Sequence, residues 1–341
     1  MKQFTITEND ANQRLDKFLK KLLPNASKTL IFKFNRKDKI KVKFEWSEWK
    51  FKKRDNEYKI QIWDEIKIFL SDNDFKELQQ VKENNTLPVD WERVKFDKAD
   101  IVFEDSDLFI INKSTGINVH PGDHKTKETN IIAQVQDYLG DKLNSLTFKP
   151  SLIHRIDRDT SGILMIAKKK DILSRLVNDF KSHEKVKKTY YAIVLWKLSR
   201  ESGTITKKLL RIENAKNEAK VQVSESGQTA ISHYKKIAEH KVKWPQWDLI
   251  VTEVEVQIET GRMHQIRVHM AAIWNPIICD RSYGDKQLNA YFSRVYGLQR
   301  QALHAWKIDF FHYGRNKKME LTARLKKDLV NFLEKVKRSY K

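Results

Sequence analysis

Five consecutive apolar residues, Ile163-Leu164-Met165-Ile166-Ala167, follow directly on a polar loop, His154-Arg155-Ile156-Asp157-Arg158-Asp159-Thr160-Ser161-Gly162. A continuous apolar run of that length, ended by turn-forming residues, reads as a strand buried on both faces. The loop before it is then mounted on a rigid support. Asp157 sits between Arg155 and Arg158, a basic setting suited to a polyanionic partner. By residue chemistry alone, two aspartates beside two arginines read first as a surface ion-pair cluster.

Further along, Val251-Thr-Glu-Val-Glu-Val-Gln-Ile258 alternates apolar and polar residues without a break, the pattern of a half-buried strand. It leads into Glu259-Thr260-Gly261-Arg262-Met263-His264-Gln265-Ile266-Arg267-Val268-His269-Met270. Ile101 to Lys113 reads as two strands around an acidic turn, and Asn130 to Leu139 and Ile172 to Phe180 have helical spacing. Lys187 to Val194 is an aromatic-rich strand, residues 200–250 hold further strands, and Gln301 to Ala305 is another. Leu325, Leu329, Phe332, Leu333 and Val336 mark an amphipathic helix that should pack on the sheet. Tyr190 and Tyr191 are adjacent on one strand and must face opposite ways.

Three of these stretches carry a resemblance. His-Arg-Ile-Asp-Arg-Asp-Thr-Ser-Gly is similar to the signature loop of the RluA family of pseudouridine synthases, with Ile156 in place of leucine. Lys188-Thr-Tyr190-Tyr-Ala192 resembles that family's Lys-x-Tyr-x-Ala motif. Thr260 to His269 resembles its Thr-Gly-Arg-x-His-Gln-Ile-Arg-Val-His signature. Asn112-Lys113-Ser114-Thr115-Gly116 matches an Asn-Lys-Pro-x-Gly segment with serine for proline. Asn275 to Asp285 continues the pattern with Cys279 where glycine is usual. The resemblance implies an α+β catalytic domain over 100–341, built on a mixed, mainly antiparallel sheet with flanking helices and a central RNA cleft. It implies an isomerase that converts uridine to pseudouridine within RNA. Asp157 falls on the catalytic aspartate, Arg267 on the arginine that pairs with it, and Tyr190 on the tyrosine that would stack on the uracil. Arg155 and Arg158 would hold the displaced RNA backbone.

Residues 1–70 read as a small α+β module. Leu15, Phe18, Leu19, Leu22 and Leu23 fall at helical spacing behind Asp10 or Asn12 as caps. Ser27 caps a second helix whose surface carries Lys28, Lys33, Arg36 and Lys37. Ile40, Val42 and Phe44, then Tyr58, Ile60 and Ile62, then Ile66, Ile68 and Leu70 alternate as strands. The order Arg14-Leu15-Asp16-Lys17-Phe18-Leu19, Ser27, the basic helix and Asp64-Glu65-Ile66 resembles the S4 RNA-binding domain, although Lys41 to Trp46 stands in place of that family's Val-Asn-Gly turn. The four basic residues are the expected phosphate contacts. Residues 71–99, polar and without sustained period, read as a linker, with Phe75, Leu78 and Val81 able to form a turn or two of helix.

The chain has 66 Lys+Arg against 45 Asp+Glu, a formal net charge of +21. That excess favours nucleic acid as partner. Cys279 is the only cysteine, which excludes an internal disulfide and a Cys-rich zinc site. His264 and His269, five apart, lack the carboxylate spacing of a zinc protease helix, so no metal is expected, nor any other cofactor. No apolar run reaches the roughly 20 residues of a membrane span, and the N-terminus lacks a signal peptide's apolar core. A cytoplasmic monomer acting on RNA is expected. Large-subunit ribosomal RNA is the first-choice target, transfer RNA the second. A catalytically silent RNA-binding or ribosome-assembly protein is the reading from another class.

Overall fold

The computed structural model describes all residues except 45–48, 81–95, 121–129, 141–142, 144, 183–184, 214–218, 245–246 and 340–341. The chain divides into two compact units. The first comprises residues 1–95, 135–150 and 168–171, the second residues 96–134, 151–167 and 172–341.

In the first unit, β1 (Lys2–Thr5), α1 (Leu15–Leu22), α2 (Lys28–Arg36), β2 (Ile40–Lys43), β3 (Glu65–Ile68) and α3 (Asp72–Gln79) follow in order. The strands form an antiparallel sheet in the order β1-β3-β2. Leu15, Phe18, Leu19 and Leu22 of α1 are buried with Ile31 and Phe34 of α2 and Ile66 and Ile68 of β3. Ser27 caps α2, its Oγ accepting from Leu30 N at 3.1 Å. Neither Asp10 nor Asn12 caps α1. The N-cap position is Arg14, without a side-chain cap bond. Asp10 is drawn elsewhere, its carboxylate accepting from the hydroxyls and amides of Ser145, Leu146 and Thr147. The strand expected at Tyr58 to Ile62 does not form. Buried Asp64 accepts from Tyr58 Oη at 3.0 Å and from Gln61 N at 2.8 Å, which bends the segment into a turn. Ile60 instead bonds the backbone of Asn12 and Gln13. In the segment expected as linker, α3 buries Phe75; Val81 lies outside the described residues.

The second unit is built on an 11-stranded sheet. Its elements are β4 (Ile101–Glu104), β5 (Leu108–Lys113), the helix α4 (Ile131–Leu139), β6 (Ser151–Leu152), β7 (Ser161–Ala167), α5 (Lys170–Ser182), β8 (Lys187–Leu195), β9 (Ser202–Glu213), β10 (Ala219–Val223), β11 (Gln228–Lys243), β12 (Asp248–Ile258), α6 (Gln265–Ala272), α7 (Lys286–Tyr291), β13 (Leu303–His312), β14 (Lys317–Thr322) and α8 (Lys327–Arg338). The α4 and α5 helices span the boundary between the units as divided above. The strand order is β10-β9-β11-β12-β8-β13-β7-β5-β4, with β14 on β13 and β6 on β7. Every pairing is antiparallel except β13 with β7. All seven residues of β7 are buried, as the apolar run requires. Leu329, Phe332, Leu333 and Val336 of α8 join the core made by β8 and β12. The α+β class with a large, mainly antiparallel sheet is the one expected.

Candidate active site

The loop carrying Asp157 joins β6 to β7 and is tied down on two sides. Gly162 has φ +113, and a Cβ there would lie 2.2 Å from Ala305 O. Only glycine lets β7 approach β13 this closely. Thr160 Oγ1 accepts from Gln301 Nε2 at 2.7 Å, and Ser161 Oγ meets His304 Nδ1 at 2.9 Å. On the other side stands Lys113 at the end of β5, 1% exposed. Its ammonium donates to Ser114 O, Ile117 O and Arg158 O at 2.7, 3.0 and 2.9 Å. Arg158 Nε donates in turn to Gly116 O at 3.1 Å.

Arg267 reaches this loop from α6. The 260–265 turn before α6 is held by Gln265, which accepts from Thr260 Oγ1 and Arg262 N and donates to Ile231 O and Ser232 Oγ. Arg267 Nε and Nη2 donate to the two oxygens of Asp280 at 2.6 and 2.9 Å. Asp280 is fully buried. The remaining Nη1 donates to Asp157 Oδ2 at 3.2 Å. Burial works against the guanidinium's charge, but the hydrogen bond and charge of Asp280, then those of Asp157, outweigh it and raise the Arg267 pKa. The ring of Tyr283 lies 5.0 Å beneath the guanidinium.

Val221 N donates to Tyr283 Oη at 2.9 Å, so the phenol proton is directed to His264 Nδ1, also at 2.9 Å. Assigned from this network, the imidazole proton rests on Nε2, which lies 3.9 Å from Asp157 Oδ2. Burial lowers the His264 pKa, with Asp157 opposing and Arg267 reinforcing. The lowered pKa favours the neutral imidazole, whose Nε2 faces Asp157 from beyond hydrogen-bond distance.

Asp157, Tyr190, Arg267 and Arg155 line one pocket, with Gly261, His264 and Leu303 among its walls. Tyr190 is on β8, and among the described residues its hydroxyl has no hydrogen-bond partner. Burial, then the charge of Asp157, raises its pKa far above a phenol's ordinary value. Tyr191 faces the other way, its hydroxyl on Glu253. Arg158, expected against RNA, spends its Nε on Gly116 and does not line the pocket. Lys28, Lys33, Arg36 and Lys37 are all exposed on or just beyond α2 in the first unit.

Reasoning from sequence alone passed over Asp280, Tyr283 and Lys113, although all three stand inside the motifs that carry the resemblance. His264 enters the sequence reading only as a metal candidate that its spacing argues against. It and His269 do not share a site: His269 Nδ1 meets Ser232 Oγ at 2.9 Å, and burial lowers its pKa to about 4. Cys279 is buried, which pushes its thiol up to about 12. Its φ of +58 gives the physical reason glycine suits that position.

Residues 107–272 match the family model described as RNA pseudouridylate synthase. The chain is 33% identical over 330 residues to the ribosomal large subunit pseudouridine synthase C of Buchnera aphidicola subsp. Baizongia pistaciae, covering 94% of this chain and 92% of that protein. It is 32% identical over 347 residues to the protein of the same name from Vibrio cholerae, covering 98% and 96%. Among solved structures, human RNA pseudouridylate synthase domain containing 4 shares the fold, with a TM-score of 0.55 at 22% identity over 70% of this chain and 93% of that one. The chain belongs to the RNA pseudouridylate synthase family, isomerases that act on RNA.

Proposed function

We propose that this protein converts uridines of large-subunit ribosomal RNA to pseudouridine, with Asp157 as the group that acts on the sugar. The observation that carries this reading is the Asp157 carboxylate 3.2 Å from an Arg267 guanidinium that buried Asp280 fixes in place. Isomerisation breaks the bond from the uracil nitrogen to C1′ and forms one from ring carbon C5 to C1′. The proton on C5 leaves, and the nitrogen gains one. Atoms balance with no outside reagent. Asp157 meets the electron-poor sugar, by attack at C1′ or by taking a sugar proton, and Arg267 gives it a fixed counter-charge. Tyr190 supplies a ring face against the uracil while it turns. Its unbonded, raised-pKa hydroxyl is poorly suited to moving protons. A site that must exclude water has use for a single carboxylate, where a glycosidase needs two.

The target must be flipped out of folded RNA at a cost of roughly a few kcal/mol. Arg155 at the pocket wall and the basic face of α2 offset that cost through phosphate contacts. Residues 1–70 would then act as an S4-type RNA-binding module, joined through 71–99 to the catalytic domain over 100–341. Two relatives whose names specify the ribosomal large subunit, each matched over more than nine-tenths of its length, support the choice of RNA. No described helix is long and apolar enough to cross a membrane, and a cytoplasmic monomer fits this role.

The test is to incubate the purified protein with unmodified ribosomal RNA and, separately, transfer RNA, and to map pseudouridines. Sites in large-subunit RNA are expected. Sites confined to transfer RNA would move the substrate assignment, and none in either would leave an RNA-binding protein without activity.

A further inference from the structure

Lys188 stands two residues before Tyr190 on β8, on the same face of the strand. It is 8% exposed. Its cross-strand neighbours on either side are Ile258 and Ile308. Among the described residues its ammonium has neither a hydrogen bond nor an ion pair. The ammonium lies 5.8 Å from the centre of the Phe180 ring. His154 stacks on that ring at 4.8 Å but offers no counter-charge. Its Nε2 accepts from Met165 N, and burial with the nearby Lys188 charge drives its pKa down to about 3. Burial likewise lowers Lys188 to about 8.

A buried cation without a partner is costly, and folds keep one where it serves a ligand. Lys188 does not itself line the pocket, but two of its neighbours, Ile258 and Gly261, do. A Cβ placed on Gly261, which lines the pocket, would have the Lys188 Nζ at 3.7 Å and nothing else within 4 Å. Gly261 has no left-handed backbone to explain it. Without a side chain there, the space beside the ammonium stays unfilled.

We infer that Lys188 is a substrate-binding residue that takes a backbone phosphate of the RNA next to the flipped uridine. This rests on reading the pocket as the place where a uridine of RNA reacts. Two residues along a strand span about 7 Å, so a phosphate on Lys188 lies a nucleotide's reach from a base on Tyr190. The phosphate brings the missing negative charge into a site of low polarity, where a charge-assisted bond is strong. Binding and orientation of the uridine are thereby linked: the ammonium is satisfied once the target strand is seated.

The test uses the full-length protein and a short RNA spanning the uridine mapped above, made with the natural backbone or with one uncharged methylphosphonate at each neighbouring linkage in turn. Lys188→Met should weaken binding about tenfold, the scale of one hydrogen bond to a charged group. One neutral linkage should weaken wild type by the same factor and the variant not at all. Lys188→Arg should retain most affinity, and Lys188→Met should melt no lower than wild type, since no internal partner is lost. Lys188→Met binding as tightly as wild type would overturn the inference. So would losses that multiply at every linkage, or a variant that melts well below wild type with Lys188→Arg no better. Wild type that binds the RNA and forms no pseudouridine would instead refute the reading of the pocket itself.

Discussion

Arg267 holds two carboxylates that differ in kind. Asp280 is fully buried and takes two of its nitrogens, whereas Asp157 is partly exposed and takes one. The inner pair fixes the geometry of the outer one, so Asp280 is a positioning residue. Asp280→Asn should lower kcat by ten- to a hundredfold with KM little changed, because Arg267 loses its orientation while the pocket stays open. It should also cost stability on the order of 3 kcal/mol, since a buried guanidinium is left short of charge; single-turnover kinetics and urea denaturation measure the two. Tyr190 makes a separate claim. Tyr190→Phe should keep most activity, and Tyr190→Leu should lose ~1–3 kcal/mol of base binding. A Phe variant as inactive as Leu in single-turnover assays would give the hydroxyl a chemical role. Asp157, Tyr190 and Arg267 were legible in the sequence because each lies in a motif. Asp280 stood in a matched stretch too, but a role as the anchor of an arginine 13 residues earlier shows only once α6 and the turn after it are folded.

Elements differ in how plainly the sequence states them. The β12 strand alternates cleanly because one face is buried, and β7 is uniformly apolar because both faces are. The α6 helix was not read as a helix, and its burial explains why. Gln265, Ile266, Arg267, Val268, His269 and Met270 are all buried, so no polar face marks the period. Tyr58 to Ile62 failed in the opposite sense: the alternation is there, but buried Asp64 bends it into a turn. At the end of β5, Lys113 binds one turn to the catalytic loop through three carbonyls. Burial lowers its pKa to about 7, against about 10.4 for an unfolded lysine. Between those values the unfolded chain binds the proton more tightly, so this lysine's contribution makes stability rise with pH. The cost of its charge is present in full below about pH 7 and relieved as pH approaches 10. Lys113→Met should flatten that rise, seen as a wild-type-minus-variant difference in melting temperature that grows between pH 6.5 and 10. It should also loosen the 157–160 loop and cut activity at every pH.

For the whole molecule, an excess of 21 positive charges favours a polyanionic partner but does not say where it binds. Within the first unit, α2 exposes Lys28 and Lys33 and ends in Arg36, with Lys37 next. Replacing all four by alanine should weaken RNA binding and reduce the slope of log affinity against log salt by roughly 3, one counterion or slightly less per lost phosphate contact. An unchanged slope would mean that this face of α2 does not meet RNA. Catalysis, on the proposed reading, depends on one carboxylate in the second unit. Asp157→Asn preserves shape and leaves Arg267 held by Asp280, so folding and RNA binding should persist while the transition state loses its essential group. The decisive measurement is tritium release from RNA labelled at uridine C5, with melting temperature and RNA affinity taken alongside. Asp157→Asn should release no tritium above background, with melting temperature and affinity near wild type, and Asp159→Asn should remain substantially active. Release at a wild-type rate from Asp157→Asn, or equal loss in Asp159→Asn, would contradict the assignment.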